Sequence, residues 1–130
     1  MIEFGKYNVK ELANEGVEFQ FEDIASGEYI PTKFVVYGMD SDEINKARKE
    51  FSAVTDNKHV TDAKKKMAMR RFLAECVKSW DDSPETGIAF QGNLIKNGDR
   101  EALIEMLSFC PQFEGQLSDF ITDRTNFLSK

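Results

Sequence analysis

Five bases fall within eight residues, Lys64-Lys65-Lys66-Met67-Ala68-Met69-Arg70-Arg71, and they form the sharpest chemical feature of the chain. At about 100° per residue they do not line up as one helical stripe. They wrap the polar side and flank the edge that carries Met67 and Met69. Three chemistries fit such a cluster. It can contact nucleic acid phosphate, it can be a solvated face balanced by acids elsewhere in the fold, or it can dock on an acidic patch of a partner or neighbouring copy. A formal net charge of −6 and the lack of interleaved aromatic residues argue against nucleic acid. Other reactive side chains are sparse. His59 is the single histidine, so no H-E-x-x-H zinc helix exists, and a Ser/His/Asp set would need this residue, which lies in a polar stretch between helices. G-x-S-x-G and both glycine-rich phosphate patterns are also missing. Asp81-Asp82 and Glu22-Asp23 are adjacent acids at helix ends and turns, where carboxylates are ordinarily solvated and not general acids or bases. Cys76 and Cys110 stand 34 residues apart, outside any C-x-x-C pair and among apolar neighbours. That pattern predicts two reduced, mostly buried thiols. The expectation is a protein without catalytic residues, metal or cofactor that works through surfaces. Its candidate interaction surface is Lys64, Lys65, Lys66, Arg70 and Arg71.

The elements that must present this cluster fit one domain over residues 1–130. An apolar fraction of 41% and eleven phenylalanines supply a core. Met1-Ile2-Glu3-Phe4-Gly5-Lys6 is too polar for a signal sequence, and no apolar run approaches the ~20 residues that span a bilayer, so a soluble intracellular protein without a membrane partner is expected. Charge is segregated along the chain: −7 over residues 1–43, +6 over 44–80 and −5 over 81–130. A basic middle between acidic flanks can satisfy itself within one fold or between copies.

Asn8 and Glu11 resemble a capping box before a short helix, Val9 to Glu15, that Gly16 stops. Val17, Phe19 and Phe21 alternate with Glu18, Gln20 and Glu22, the period of a half-buried strand. A turn at Ala25-Ser26-Gly27-Glu28 leads to a returning strand through Lys33-Phe34-Val35-Val36-Tyr37, with Pro31 placed at an edge or ahead of it. Asp40 can cap the next helix, whose apolar face is Ile44, Ala47, Phe51 and Val54. Thr61 or Asp62 starts a helix predicted to run to Trp80, with Ala63, Met67, Met69, Phe72, Leu73, Cys76, Val77 and Trp80 inward. Asp81-Asp82-Ser83-Pro84 ends it, and Thr86 to Phe90 is a short extended or irregular segment. A helix from about Asp99 carries Leu103, Met106 and Leu107 to the boundary at Pro111. Pro111 opens a last helix lined by Phe113, Leu117, Phe120, Ile121, Phe127 and Leu128. The class is therefore α+β: a small antiparallel β element in about residues 1–38, packed with about four helices over 40–130. Phe72, Trp80, Phe120 and Phe127 are the expected packing anchors.

The joints of this pattern carry a family resemblance. A helix closes on Phe72-Leu73-x-x-x-Val77-x-x-Trp80, and an acidic, proline-containing break follows. A segment ending at Phe90 leads through Asn93 into a leucine-bearing helix. Pro111 then opens a last helix that ends Asn126-Phe127-Leu128. Upstream, Gly38-Met39-Asp40-Ser41-Asp42 gives the G-x-D-S-D start of a helix. Together these resemble the tail assembly chaperones of long-tailed bacteriophages, over nearly the whole chain. The resemblance implies a non-enzymatic protein of the infected host's cytoplasm. Such proteins bind the tape measure protein, keep it soluble, help recruit tail tube subunits, self-associate in rings or spirals, and are missing from the mature virion. Two other readings stay open on the residues alone. One is a small regulatory or nucleic-acid-binding module using the basic helix 61–80; the other is a structural tail or head–tail component.

Overall fold

The computed structural model describes residues 1–128. Five α-helices surround a small antiparallel sheet, the α+β arrangement that the sequence pattern predicts. The first helix, α1 (Lys10–Glu15), starts where Asn8 Oδ1 accepts from the Lys10 N–H at 2.9 Å. It ends at Gly16, whose φ of +94° favours glycine; there an added Cβ would also lie 2.6 Å from Val35 Cγ1. Strand β1 (Val17–Phe19) follows, then an extended excursion closed by the Glu22–Tyr29 bridge, then β2 (Phe34–Val36) with Pro31 ahead of it. Phe19 and Phe21 point inward as the alternation requires.

The sequence pattern misplaces the third strand. The helix expected over 61–80 ends at Glu75 (α3, Asp62–Glu75), and Val77–Trp80 is strand β3, paired antiparallel with β2. The sheet order is β1-β2-β3. Helical spacing of Phe72, Cys76 and Trp80 imitates a continued apolar face, but tertiary pairing overrides it. Without β3 the outer edge of β2 would be unpaired, and a β-branched residue and an indole suit that half-buried surface. The register places Phe34 opposite Trp80 and Val36 opposite Val77, with a bulge between them that turns Lys78 outward, where its Nζ donates to the Glu15 carbonyl at 3.0 Å. Residues 40–130 are thus not purely helical. They also hold a hairpin, β4 (Ala89–Phe90) and β5 (Asn93–Leu94), whose turn is Gln91-Gly92.

The remaining helices are α2 (Asp42–Thr55), α4 (Arg100–Phe109) and α5 (Pro111–Thr122). Ser41, not Asp40, caps α2: its Oγ accepts from the Ile44 N–H at 3.1 Å. Thr61 and Asp99 cap α3 and α4, and Pro111 sits in the first turn of α5. The last helix stops at Thr122, short of the expected end. Asp123 caps a separate 3₁₀ turn, Arg124–Phe127, that folds Phe127 back into the core.

That core is a chain of aromatic contacts between sheet and α5. Phe19 meets Phe21 and Phe120 at ring-centre distances of 4.8 and 4.9 Å, and Phe21 meets Phe113 at 4.7 Å and Phe34 at 5.1 Å. Of the four expected anchors, Trp80 and Phe127 are buried, while Phe72 and Phe120 are half-buried. Trp80 Nε1 donates to the Ile95 carbonyl at 3.0 Å, and the Trp80 N–H donates to Asn97 Oδ1 at 3.0 Å, which closes the outer edge of β3. Ala63, Met67 and Met69 correct the predicted inner face of α3, because all three are exposed. Gly38 lies under Phe127, and an added Cβ would stand 2.8 Å from Ala13 Cβ and 2.9 Å from the Phe127 ring. Gly38→Ala is therefore expected to cost about 1–3 kcal/mol through overpacking. Chemical denaturation would measure it, and an unchanged midpoint would contradict this packing.

Candidate interaction surface

The structure divides the five bases of the predicted surface into two groups. Arg70 turns inward: its Nε donates to Glu114 Oε1 at 2.5 Å, with side chains only 19% and 21% exposed, and so ties α3 to α5. Arg71 Nη1 donates to Glu101 Oε1 at 2.9 Å and ties α3 to α4 from a more open position. These two arginines are used inside the fold by acids of the third charge segment. Lys64, Lys65 and Lys66 form no ion pair with any described residue. They occupy the first turns of α3, where cations oppose the positive end of the helix dipole.

Beside this cluster lies an apolar face that the pattern of the sequence did not single out. Phe109, the last residue of α4, is 72% exposed and meets Phe90 of β4 at 5.3 Å between ring centres, with the rings tilted at 59°. Met67 from α3, 38% exposed, faces the same depression, a groove of about 460 Å³ completed by Ile104 and Glu105. A flexible thioether in the same groove as two rings makes an adaptable surface for apolar side chains. The signal for Phe109 was present in the sequence. At about 100° per residue it falls on the Glu105 side of α4, away from buried Leu103 and Leu107.

The other reactive residues are built into joints. Asp81 Oδ1 accepts from the Ser83 N–H at 2.9 Å and Oδ2 accepts from the Thr86 hydroxyl, while Thr32 Oγ1 donates to the Thr86 carbonyl at 2.6 Å. The Thr86 hydroxyl, foremost, and the Ser83 donors hold the Asp81 carboxyl below its ordinary range, so it stays ionised as a turn acceptor. Asp82 Oδ2 accepts from the Asn97 N–H at 3.0 Å. Cys76 and Cys110 are free thiols, Cys76 buried and Cys110 half-buried. Burial pushes the Cys76 thiol up to about 12, helped by the Glu75 charge, which leaves it without thiolate character. His59 is exposed in the loop before α3. No group of three or more His, Cys, Asp or Glu side chains among the described residues is placed to hold a metal ion. Among them no helix is long and apolar enough to cross a membrane.

Asp40, released from capping, forms a two-point pair with Arg124, Nε to Oδ2 at 2.8 Å and Nη2 to Oδ1 at 3.0 Å. The pair ties the C-terminal 3₁₀ turn to the start of α2. The Arg124 hydrogen bond, then the charges of Arg124 and Arg48, hold the Asp40 carboxyl below its ordinary value despite some desolvation. A carboxyl depressed in the folded state stabilises it above the unfolded value and loses that contribution as pH falls through the folded one. Asp40→Asn is expected to lower the Tm at neutral pH and to show a smaller fall in Tm between about pH 5 and about pH 3 than the wild type. Parallel melting curves in the two proteins would contradict it.

Comparison with family models, curated proteins and solved structures finds no match to this chain.

Proposed function

We propose that the chain is a non-enzymatic tail assembly chaperone of a long-tailed bacteriophage. In this reading it acts in the cytoplasm of the infected host, binds the tape measure protein, keeps it soluble and helps recruit tail tube subunits. The observation that carries the reading is the open Met67–Phe90–Phe109 face on α3, α4 and β4, bordered by the charges of Glu105 and of the exposed Arg71–Glu101 pair. A chaperone for a long helical protein needs an apolar surface that accepts many sequences and a charged border that keeps the free protein soluble. Each contact can be weak, because many copies along one tape measure chain add by avidity. Three joints of the resemblance support the same reading: Asp40-Ser41-Asp42 starts α2, Asp81 and Asp82 organise the acidic break, and Pro111 opens α5. Two others depart from it, because α3 ends at Glu75 with Val77–Trp80 a strand, and α5 ends at Thr122 before Asn126-Phe127-Leu128.

A nucleic-acid-binding role finds less support, because Arg70 and Arg71 spend their charge on Glu114 and Glu101. Co-expression with the tape measure protein of the same phage tests the proposal. The two are expected to co-purify, and this chain is expected to be missing from purified virions. Failure to co-purify, or a stoichiometric place in the particle, would overturn it.

A further inference from the structure

The three-stranded sheet has one closed edge and one open edge. At β3 the Trp80 N–H is taken by Asn97 Oδ1 at 3.0 Å, and Arg100 Nη2 donates to the Val77 carbonyl at 3.0 Å. The outer edge of β1 differs. The Tyr37 N–H donates to the Cys76 carbonyl and the Asp81 N–H to the Lys33 carbonyl, so the odd-numbered residues of the β2 segment bond β3. Phe34 and Val36 therefore exchange hydrogen bonds with Phe19 and Val17, and Glu18 between them turns its N–H and carbonyl outward. Gln20 is next on that side of the extended chain, and neither its N–H nor its carbonyl bonds any described residue. Glu22 shows what this edge accepts. Gln116 Oε1 takes its N–H at 2.7 Å and Gln116 Nε2 donates to its carbonyl at 2.9 Å, as a neighbouring strand would.

A groove of about 730 Å³ runs beside this edge, between the β1–β2 excursion and α5. Its apolar wall is Phe120, which packs on Phe19 at 4.9 Å between ring centres. Its border carries Glu18, Glu22, Asp119 and Asp123, with no base among the residues that line it. Glu22 and Asp119 have no ion pair with any described residue, and Glu18 has only an exposed one, 3.8 Å to Lys33. An unpaired strand edge is a template for another strand, and the acids beside it select a cationic one. We propose that β1 takes, as a fourth strand, an extended segment of a partner protein in which basic and apolar residues alternate. Its main chain bonds Glu18 and Gln20. The period of two sets its apolar side chains on the Phe19–Phe120 face and its basic ones on the Glu18–Glu22 face. β1 and α5 bear none of the Met67–Phe90–Phe109 face, so this edge acts whether or not that face holds an apolar helix.

The probe is a capped, fluorescent peptide of alternating lysine and valine, titrated by anisotropy and followed by amide hydrogen exchange. No tape measure protein is present, so failure here leaves the chaperone reading intact. The peptide is expected to bind the wild type and to slow exchange at the Glu18 and Gln20 amides. Glu22→Lys/Asp119→Lys, at two exposed positions, should weaken binding about tenfold or more with unchanged circular dichroism. The same peptide N-methylated at every residue keeps its charges but has no N–H to offer a strand, so it should also bind about tenfold or more weakly. A peptide of alternating glutamate and valine should not bind. Absence of binding, or equal binding by the charge variant or by either control peptide, would overturn the proposal. Protection of Glu18 and Gln20 in the free protein that disappears on dilution would assign the edge to a second copy and overturn it as well.

Discussion

Trp80→Ala is expected to destabilise the fold by about 3–5 kcal/mol, the range for deleting a buried indole. The loss has three sources in this structure. The ring leaves a void against Phe34, with which it packs at 6.3 Å between centres. The buried Ile95 carbonyl loses the Nε1 donor. Strand β3 loses the side chain that anchors its end opposite Phe34. Trp80→Phe keeps much of the bulk but leaves the Ile95 carbonyl without its donor, so its cost should be smaller, about 1–3 kcal/mol. Urea denaturation followed by circular dichroism would separate the two. A loss below about 1 kcal/mol for the alanine variant would mean that Trp80 does not anchor the sheet.

The second large effect is on binding. Phe109→Asp combined with Met67→Asp should leave stability nearly unchanged, because both side chains are substantially exposed and neither belongs to the aromatic core. On the proposed function the same pair should weaken capture of an apolar helical partner by about 30-fold or more, the scale of losing a central hot spot. Titration of the double variant against a tape measure fragment would read it. Equal affinity would place the contact on another surface.

The charge segregation of the chain was legible as a pattern, but its resolution was not. Arg70 and Arg71 look like Lys64–Lys66 in sequence, and only the approach of α5 and α4 distinguishes them, by bringing Glu114 and Glu101 within reach. Most caps and turns were read well because they are local: Thr61, Asp99 and Pro111 act within a few residues of themselves. The capping box expected of Asn8 and Glu11 is not formed, because the Asn8 N–H bonds the Gly5 carbonyl and Val9 takes the cap position. The cap expected at Asp40 belongs to Ser41, and a distant Arg124 takes the Asp40 carboxylate. The same physics hid strand β3. Val77 to Trp80 continues a helical period in sequence, and only the open edge of β2, some forty residues upstream, makes it a strand. The hairpin of β4 and β5 is two residues per strand, too short to leave a periodic signal. Of the interaction surface, the lysines were legible as composition. The Met67–Phe109 face was not, because helix spacing shows which residues leave the core of their own helix but not what covers them.

The central claim is that the Met67–Phe90–Phe109 face holds an apolar helical partner in solution. The most direct measurement is the soluble fraction of the tape measure protein when it is expressed alone, with the wild-type chain, and with the Met67→Asp/Phe109→Asp variant. The account predicts insoluble protein alone, a soluble co-purifying complex with the wild type, and insoluble protein again beside a folded double variant. A tape measure protein that stays insoluble with the wild type, or that the double variant keeps equally soluble, would contradict it.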